Sequence, residues 1–168
     1  PGIPGAPTAT PGNGSATITI VAPSSGGTPS SYTVTASPGG STCTVTAPGT
    51  SCTIAPLNNG TAYTFTSTAT NTAGTSTSAS AASAAITPAG VPLSPSSITG
   101  TGIGGSTTIE WTAPTSDGGS PLTDYVIEYS VEGSGTWTTF SDGTSTATSA
   151  TITGLTAGNA YEFRVSAK

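Results

Sequence analysis

The 168-residue sequence contains no histidine and no methionine, and its only cations are Arg164 and Lys168. A protein that neutralises nucleic-acid phosphates needs a basic surface, so this composition argues against nucleic-acid binding. The same shortage argues against binding an acidic membrane surface. Because no apolar run approaches the roughly 20 residues that span a bilayer, we also expect no membrane insertion.

Charge is missing from most of the chain. Reading from Pro1, the first charged side chain is Glu110, and every later one lies between Glu110 and Lys168. Serine and threonine together number 62, and charged residues make up only 5%. Compositions of this kind occur in disordered, O-glycosylated stalks, so the pattern along the chain must decide between a stalk and a fold.

Several segments alternate threonine or serine with apolar residues, as in SATITIVA, SYTVTAS and TAYTFTSTAT. Period-two alternation bounded by Gly, Pro and Asn predicts half-buried antiparallel strands. Threonine suits the outer face because it is both polar and β-branched. No segment has a helical period, so we predict an all-β protein.

The chain also contains an internal repeat. ATITIVAPSSGGTPSSYTVTA recurs as TTIEWTAPTSDGGSPLTDYVIEY, and LNNGTAYTF recurs as LTAGNAYEF. The repeat predicts two domains, residues 1–89 and 90–168, each of a size that suits an immunoglobulin-like β-sandwich. Between them, ITPAGVPLSP carries Pro88, Pro92 and Pro95 and predicts a short, semi-rigid linker.

These motifs resemble the fibronectin type III family over nearly the whole chain. IEWTAP is similar to the family's strand B with its core Trp111, and YVIEY is similar to strand C. LTAGNAYEFRVSA is similar to strand F, which makes Tyr161, and Tyr63 in the first copy, tyrosine-corner residues. Thr- and Ser-rich domains of this kind with a cysteine pair resemble those of bacterial cell-surface proteins and secreted polysaccharide-degrading enzymes.

The only cysteines, Cys43 and Cys52, share strand faces with Val45 and Ile54, so both are predicted to point inward. We predict a disulfide, with a buried free pair and a chemical role as alternatives. Zinc normally takes four Cys or His ligands, a redox pair is usually Cys-x-x-Cys, and a nucleophilic Cys needs a base. An oxidised pair implies an oxidising compartment, and therefore export.

The segment between the cysteines reads APGT, with Pro48 and Gly49 in the order that a type II turn prefers. Closing this loop of about ten residues contributes roughly 2.5–3 kcal/mol by chain-entropy arithmetic. The first copy has Ile20 where the second has Trp111, and Ala36 where the second has Tyr129. We therefore hypothesise that the disulfide compensates for a core with fewer aromatics.

Other polar residues do not form a recognisable site. Glu110, Glu128 and Glu162 fall on the outward parity of their strands, which predicts a solvated face rather than a paired-carboxylate site. Asp117 and Asp142 lie in turn sequences without the alternating acidic ligands of a calcium loop. We expect no catalytic residue, no metal and no cofactor.

Weaker candidates are one aromatic residue and two asparagines. Trp137, in GTWTTF, could stack on a sugar, although covering the end of the sandwich together with Phe140 is the simpler prediction. Asn13-Gly14-Ser15 and Asn59-Gly60-Thr61 match the acceptor pattern for N-glycosylation, and both also suit a turn.

The sequence stops at the end of the second copy's strand F, so we predict that its last strand, G, is missing from this chain. The first copy has a counterpart around Thr75–Ile86. The missing strand belongs to a truncated segment, or a neighbouring subunit supplies it in head-to-tail strand addition.

The predicted function is a non-enzymatic extracellular structural module, a spacer or a subunit of a surface fibre or sheath. Its expected partners are neighbouring domains or copies of itself. The alternative is a carbohydrate-binding accessory to a secreted hydrolase, with cell-wall or other polysaccharide as the partner.

Overall fold

The computed structural model describes all 168 residues, and every regular element in it is a β-strand. The all-β prediction is confirmed. The chain divides into two compact units, unit 1 from Pro1 to Gly90 and unit 2 from Val91 to Lys168. Each unit is a sandwich of two antiparallel sheets.

Unit 1 contains seven strands in two sheets. One sheet has the order β1-β2-β5 and the other the order β4-β3-β6-β7. The strands are β1 (Gly5–Gly12), β2 (Ser15–Val21), β3 (Ser31–Ser37), β4 (Thr42–Thr46), β5 (Ser51–Ile54), β6 (Thr64–Asn71) and β7 (Gly74–Thr75).

Unit 2 contains six strands, again in two sheets. The orders are β12-β9-β8 and β11-β10-β13. The strands are β8 (Ser96–Ile103), β9 (Ser106–Thr112), β10 (Tyr125–Val131), β11 (Thr138–Phe140), β12 (Ser149–Thr153) and β13 (Tyr161–Ala167). The two units therefore match strand for strand except at one place, because unit 2 has no counterpart of β7.

Alternation along the strands separates the core from the solvent. In β2 and β3 every second side chain is buried, and the residues between them are mostly threonine. The register of β3 and β6 places Thr33 opposite Thr68 and Thr35 opposite Thr66. The threonines thus form cross-strand pairs on the outer face, where a β-branched polar residue is favourable.

The two cores are built from different side chains. Unit 1 buries mainly aliphatic and small residues around Phe65, which is 0% exposed. Unit 2 is richer in aromatics, but several of them, including Tyr129, Tyr161 and Phe163, are only partly buried against its core. The number of aromatic residues in a core therefore does not decide how completely its side chains are buried.

The segment predicted as a linker is mostly part of the two units. Pro88 is buried, and its carbonyl accepts a hydrogen bond from the Gly60 N–H at 2.9 Å. Pro95 is also buried. The boundary between the two units, at Gly90 and Val91, lies inside this segment, and a semi-rigid linker there stays a prediction.

Candidate functional site

Cys43 and Cys52 form a disulfide, and the chain has no free cysteine. Their Cα atoms are 6.3 Å apart. Cys43 lies in β4 and Cys52 in β5, which belong to different sheets, so the bond joins the two layers of unit 1. Both side chains are half-buried and pack against the core, which fits a structural bond and leaves no thiol for chemistry.

The turn between the cysteines differs from the prediction. The Gly49 N–H donates to the Thr46 carbonyl at 3.0 Å, so Ala47 and Pro48 are the two central residues of the turn. Gly49 does not have the positive φ that a type II turn requires at its third position. The type II prediction is wrong, because the turn is shifted by one residue along the chain.

Both units contain a tyrosine whose hydroxyl ties the start of a strand to the preceding loop. Tyr63 Oη accepts a hydrogen bond from the Asn58 N–H at 3.2 Å, and Tyr161 Oη accepts one from the Thr156 N–H at 3.0 Å. The N–H of Thr156 stabilises the phenolate and lowers the pKa of Tyr161. These contacts have the geometry of a tyrosine corner.

Trp111 is a core residue of unit 2. Its side chain is 6% exposed and packs edge-to-face on Tyr125, with ring centroids 5.3 Å apart. Ile20 fills the matching position of unit 1 and is also buried. The Trp111 indole Nε1 is buried and has no hydrogen-bond partner, which is an uncompensated polar group in an otherwise apolar contact.

Trp137 lies on the surface of unit 2, beside a charged pair. The Arg164 guanidinium lies 4.3 Å from the centroid of the Trp137 ring. Arg164 also donates two hydrogen bonds to the Glu128 carboxylate, at 2.7 and 2.9 Å. One ring face is therefore covered by the guanidinium and is not free to stack on a sugar. Phe140 packs against the core, whereas Trp137 packs on Arg164 instead.

The ion pair between Arg164 and Glu128 shifts the pKa values of both residues. The hydrogen bonds from Arg164 lower the pKa of Glu128, and the carboxylate raises the pKa of Arg164. A second surface pair joins Lys168 to Asp124 at 3.3 Å. The pKa of Asp124 is lowered first by the N–H of Ser145 and then by Lys168. Ion pairs this exposed contribute little to stability.

The two candidate glycosylation asparagines hydrogen-bond to each other. Asn59 Nδ2 donates to Asn13 Oδ1 at 2.8 Å, and Asn59 Oδ1 accepts from the Gly14 N–H at 2.8 Å. Nδ2 is the atom to which an N-linked sugar attaches, so a sugar on Asn59 would disturb this contact. Asn13 is exposed, at the tip of the β1–β2 hairpin.

The acidic residues of unit 2 are dispersed. Glu110 and Glu162 are exposed, and Asp117 accepts a hydrogen bond from the Gly119 N–H within its own turn. No group of three or more His, Cys, Asp or Glu side chains could hold a metal ion. Glu128 is bound by Arg164 on the outer face of unit 2, and the register of β10 and β13 places Glu162 opposite Ser130.

An open groove lies at one end of unit 1, between the β2–β3 loop and the β4–β5 turn. Its walls include Pro23, Pro29 and Pro48, and it contains no ionisable side chain apart from that of Tyr32. Tyr32 itself is buried, at 4% exposure. The polar groups in its lining are hydroxyls, those of serines and threonines such as Ser30 and Thr46.

The most distinctive polar contacts lie along the outer edge of β6. Beyond β7, the chain runs beside β6 without forming a regular strand, and we call residues 74–86 the G segment. Ser76, Ser80 and Ser83 of this segment are all buried. The N–H of Ser80 donates to the Ser67 carbonyl at 2.8 Å, and Ser80 Oγ accepts from the Ser67 N–H at 2.9 Å.

The other two serines repeat this contact. Ser83 bonds in the same way to both backbone groups of Phe65, and Ser76 to both backbone groups of Ala69. Each hydroxyl also donates to a carbonyl of the G segment, those of Ser78, Ala81 and Ala84. These three serine contacts supply the acceptors that a regular strand would provide with its carbonyls.

The equivalent edge in unit 2 is open. Phe163, Val165 and Ala167 occupy the positions of Phe65, Ser67 and Ala69, and β13 pairs with β10 on one side only. Phe163 and Ala167 are half-buried, whereas Phe65 and Ala69 are both 0% exposed. Among the residues given, no strand of unit 2 corresponds to β7.

Sequence reasoning missed the serine contacts. The sequence predicts a last strand of the first copy around Thr75–Ile86, but only Gly74–Thr75 forms a strand, together with an isolated bridge between Tyr63 and Ile86. The segment TSTSASAASAAI has small residues throughout, so no hydrophobic period marks its buried face. The usable signal was the spacing of the serines among alanines, four residues and then three.

Taken together, the two antiparallel sandwiches and their tyrosine corners define tandem immunoglobulin-like β-sandwich modules. A sequence model described as the fibronectin type III domain matches residues 3–85 and 93–168. The chain belongs to the fibronectin type III family. Domains of this family are typically non-catalytic, and those with a disulfide are typical of extracellular proteins.

One solved structure supports the same fold. The chain is similar to domains A168–A170 of titin, with a TM-score of 0.54 and 22% identity, over 98% of this chain and 56% of that one. It is also similar to the FN1–FN3 domains of chicken CNTN1, with a TM-score of 0.47 and 21% identity, over 98% and 61% of the two chains. The chain thus spans little more than half the length of these structures. None of its elements is a helix able to cross a membrane.

Proposed function

We propose that this chain is a non-catalytic extracellular structural module of a larger secreted or cell-surface protein of the bacterial kind. It serves as a spacer or as a subunit of a surface fibre or sheath. The observation that carries the proposal is the Cys43–Cys52 disulfide, which joins the two sheets of a unit that has no charged side chain. Bonds of this kind persist in oxidising environments outside the cytosol.

The use of the polar groups supports a structural role. The Tyr63 and Tyr161 hydroxyls, the Asn59 amide and the Arg164 guanidinium all bind groups of the same chain. Groups that are engaged internally hold loops and strands in place and are not free to position a substrate. The polar chemistry of both units therefore goes into maintaining the sandwiches.

The expected partners are neighbouring domains or copies of the chain. Head-to-tail strand addition is one form of such a contact. Unit 1 carries no Lys, Arg, Asp or Glu to keep copies apart by charge. This absence of charge supports an environment in which the module lies beside other protein.

Two measurements on the purified chain test this proposal. Light scattering and negative-stain imaging over a wide concentration range show whether the chain assembles, and a strictly monomeric product reduces the role to a spacer. Sedimentation with insoluble glycans tests the accessory role, with Trp137→Ala as the matched control. Retention on a polysaccharide that is lost in Trp137→Ala would contradict a purely structural module.

A further inference from the structure

Two Asn-Gly sequences lie side by side at one end of unit 1. Asn13-Gly14 forms the turn of the β1–β2 hairpin, and Asn59-Gly60 lies in the loop between β5 and β6. In an Asn-Gly sequence the glycine nitrogen can attack the side-chain carbonyl carbon of the asparagine, because glycine has no side chain to obstruct the approach. In a folded chain the reaction depends on how the glycine nitrogen and the carboxamide are held.

The Gly60 nitrogen is held by the backbone. Its N–H donates to the carbonyl of the buried Pro88 at 2.9 Å. The Asn59 carboxamide is engaged at both ends, because Oδ1 accepts from the Gly14 N–H and Nδ2 donates to Asn13 Oδ1. Attack of the Gly60 nitrogen on Asn59 would have to break all three hydrogen bonds, so Asn59 is protected.

The Gly14 nitrogen is held by a side chain instead. Its N–H donates to Asn59 Oδ1 at 2.8 Å, and rotation of the half-buried Asn59 side chain breaks this bond. Asn13 is exposed at the tip of its hairpin, so solvent reaches its carboxamide. Exposed loop contacts open at a low cost in free energy. Asn13 is therefore the more reactive of the two asparagines, and Asn59 is the group that restrains it.

We propose that Asn13 is a site of spontaneous deamidation and that Asn59 sets its rate. When the Asn59 side chain turns away, the Gly14 nitrogen loses its proton to a solvent base and bonds to Asn13 Cγ. The Cγ–Nδ2 bond breaks, and the amine takes a proton from solvent and leaves as ammonia. Water then opens the remaining cyclic imide to aspartate or isoaspartate.

The reaction changes the surface of unit 1. Either product carries a carboxylate, in a unit that has no Lys, Arg, Asp or Glu side chain. An N-linked sugar would attach at Asn13 Nδ2, the atom that leaves, so glycosylation and deamidation at Asn13 exclude each other. This modification goes beyond the proposed structural role and does not depend on it.

The test is incubation of the full chain at mildly alkaline pH, followed by peptide mapping that resolves aspartate and isoaspartate at each asparagine. Asn59→Ala removes the acceptor of the Gly14 N–H, whereas Asn59→Asp keeps one. Asn58→Ala is the matched control, because the neighbouring Asn58 side chain is exposed. Calorimetry checks that unit 1 is folded in each variant, and the chain unfolded in guanidinium gives the unprotected rates.

In the folded wild-type chain, Asn13 is expected to convert before Asn59, and both convert more slowly than in guanidinium. Asn59→Ala accelerates conversion of Asn13 by roughly two- to tenfold, the factor that one hydrogen bond to the Gly14 N–H provides. In Asn59→Asp the carboxylate still accepts from this N–H, so Asn13 converts no faster than in the wild type. Asn58→Ala leaves the rate at Asn13 unchanged.

Four results would overturn the proposal. The first two are conversion of Asn59 before Asn13 in the folded chain, and equal rates at Asn13 in the folded and unfolded wild type. The other two are an unchanged rate at Asn13 in Asn59→Ala, and an Asn59→Asp variant that reacts as fast as Asn59→Ala. If Asn59→Ala unfolds unit 1, the first two comparisons decide, because they need only the wild-type chain.

Discussion

Unit 1 and unit 2 share a strand order, yet they cover the same strand in different ways. In unit 1 the edge of β6 is closed by the G segment, and Phe65 is 0% exposed. In unit 2 the edge of β13 is open, and Phe163 is only half-buried. The unit with fewer aromatics is the better covered one, so burial here depends on closing the sheet edge more than on side-chain size.

The two units also differ in how they use polar groups. Unit 1 has no charged side chain and relies on buried serines, a disulfide and an asparagine pair. Unit 2 places its ion pairs on the surface, where solvent screens them. We therefore expect the stability of unit 1 to fall when single hydroxyls or the disulfide are removed. We expect the stability of unit 2 to depend on pH.

The largest expected effect comes from removing the disulfide. In the full chain, Cys43→Ala with Cys52→Ala removes about 2.5–3 kcal/mol of restraint on the unfolded state. For a domain of this size that loss lowers the melting temperature of unit 1 by roughly 10–20 °C. Calorimetry measures the transition, and tryptophan fluorescence provides the control, because Trp111 and Trp137 both lie in unit 2. An unchanged unit 1 transition would contradict the compensation hypothesis.

The next effect is the loss of one serine contact. Ser80→Ala leaves the buried Ser67 N–H without an acceptor, which destabilises unit 1 by about 1–3 kcal/mol. Ser78→Ala is the matched control, since the Ser78 side chain is exposed and changes of this kind stay within about 0.5 kcal/mol. Denaturant unfolding of both variants checks the difference, and equal stabilities would mean that the hydroxyl contributes nothing.

The tyrosine corners provide a direct comparison of the two units. Tyr63→Phe is expected to destabilise unit 1 by about 0.5–1.5 kcal/mol, because the part-buried Asn58 N–H loses its acceptor. Tyr161→Phe has a smaller effect on unit 2, since water can reach the exposed Thr156 N–H. Thermal melts of the two variants give both values. A larger loss at Tyr161 would show that exposure does not set the size of the effect.

The smallest effect is the dependence on pH. The pKa of Glu128 is lowered in the folded state by Arg164, so its contribution is present above the ordinary value of 4.5 and is lost as pH falls through and below that value. Asp124 acts in the same direction. The melting temperature of unit 2, followed by tryptophan fluorescence, should therefore fall in acid. It should fall less in the Glu128→Gln variant.

Unit 1 is the internal control for that experiment, because it contains no Asp, Glu, Lys or Arg side chain. Its calorimetric transition should stay constant over the same acid range. A parallel loss of stability in unit 1 would show that the acid effect does not arise from the ion pairs of unit 2.

Much of the fold could be predicted because alternation and turns leave a local record in the sequence. The inward parity of Cys43 and Cys52 was visible in this way, as was the repeated position of Tyr63 and Tyr161. The stacking of Arg164 on Trp137 was not, because it depends on strand register between β10, β11 and β13 and on side-chain direction. The serine contacts could not be predicted for a different reason. The serines are four and then three residues apart, which does not match the two-residue period of a strand, and the segment is not a helix.

The most direct test of the account is amide exchange in the chain alone, compared at equivalent positions of β6 and β13. The account predicts slow exchange at Phe65, Ser67 and Ala69, whose N–H groups bond to serine hydroxyls. It predicts fast exchange at Phe163, Val165 and Ala167 under dilute, monomeric conditions. Equal protection of the two strands would contradict the claim that one edge is closed and the other is open.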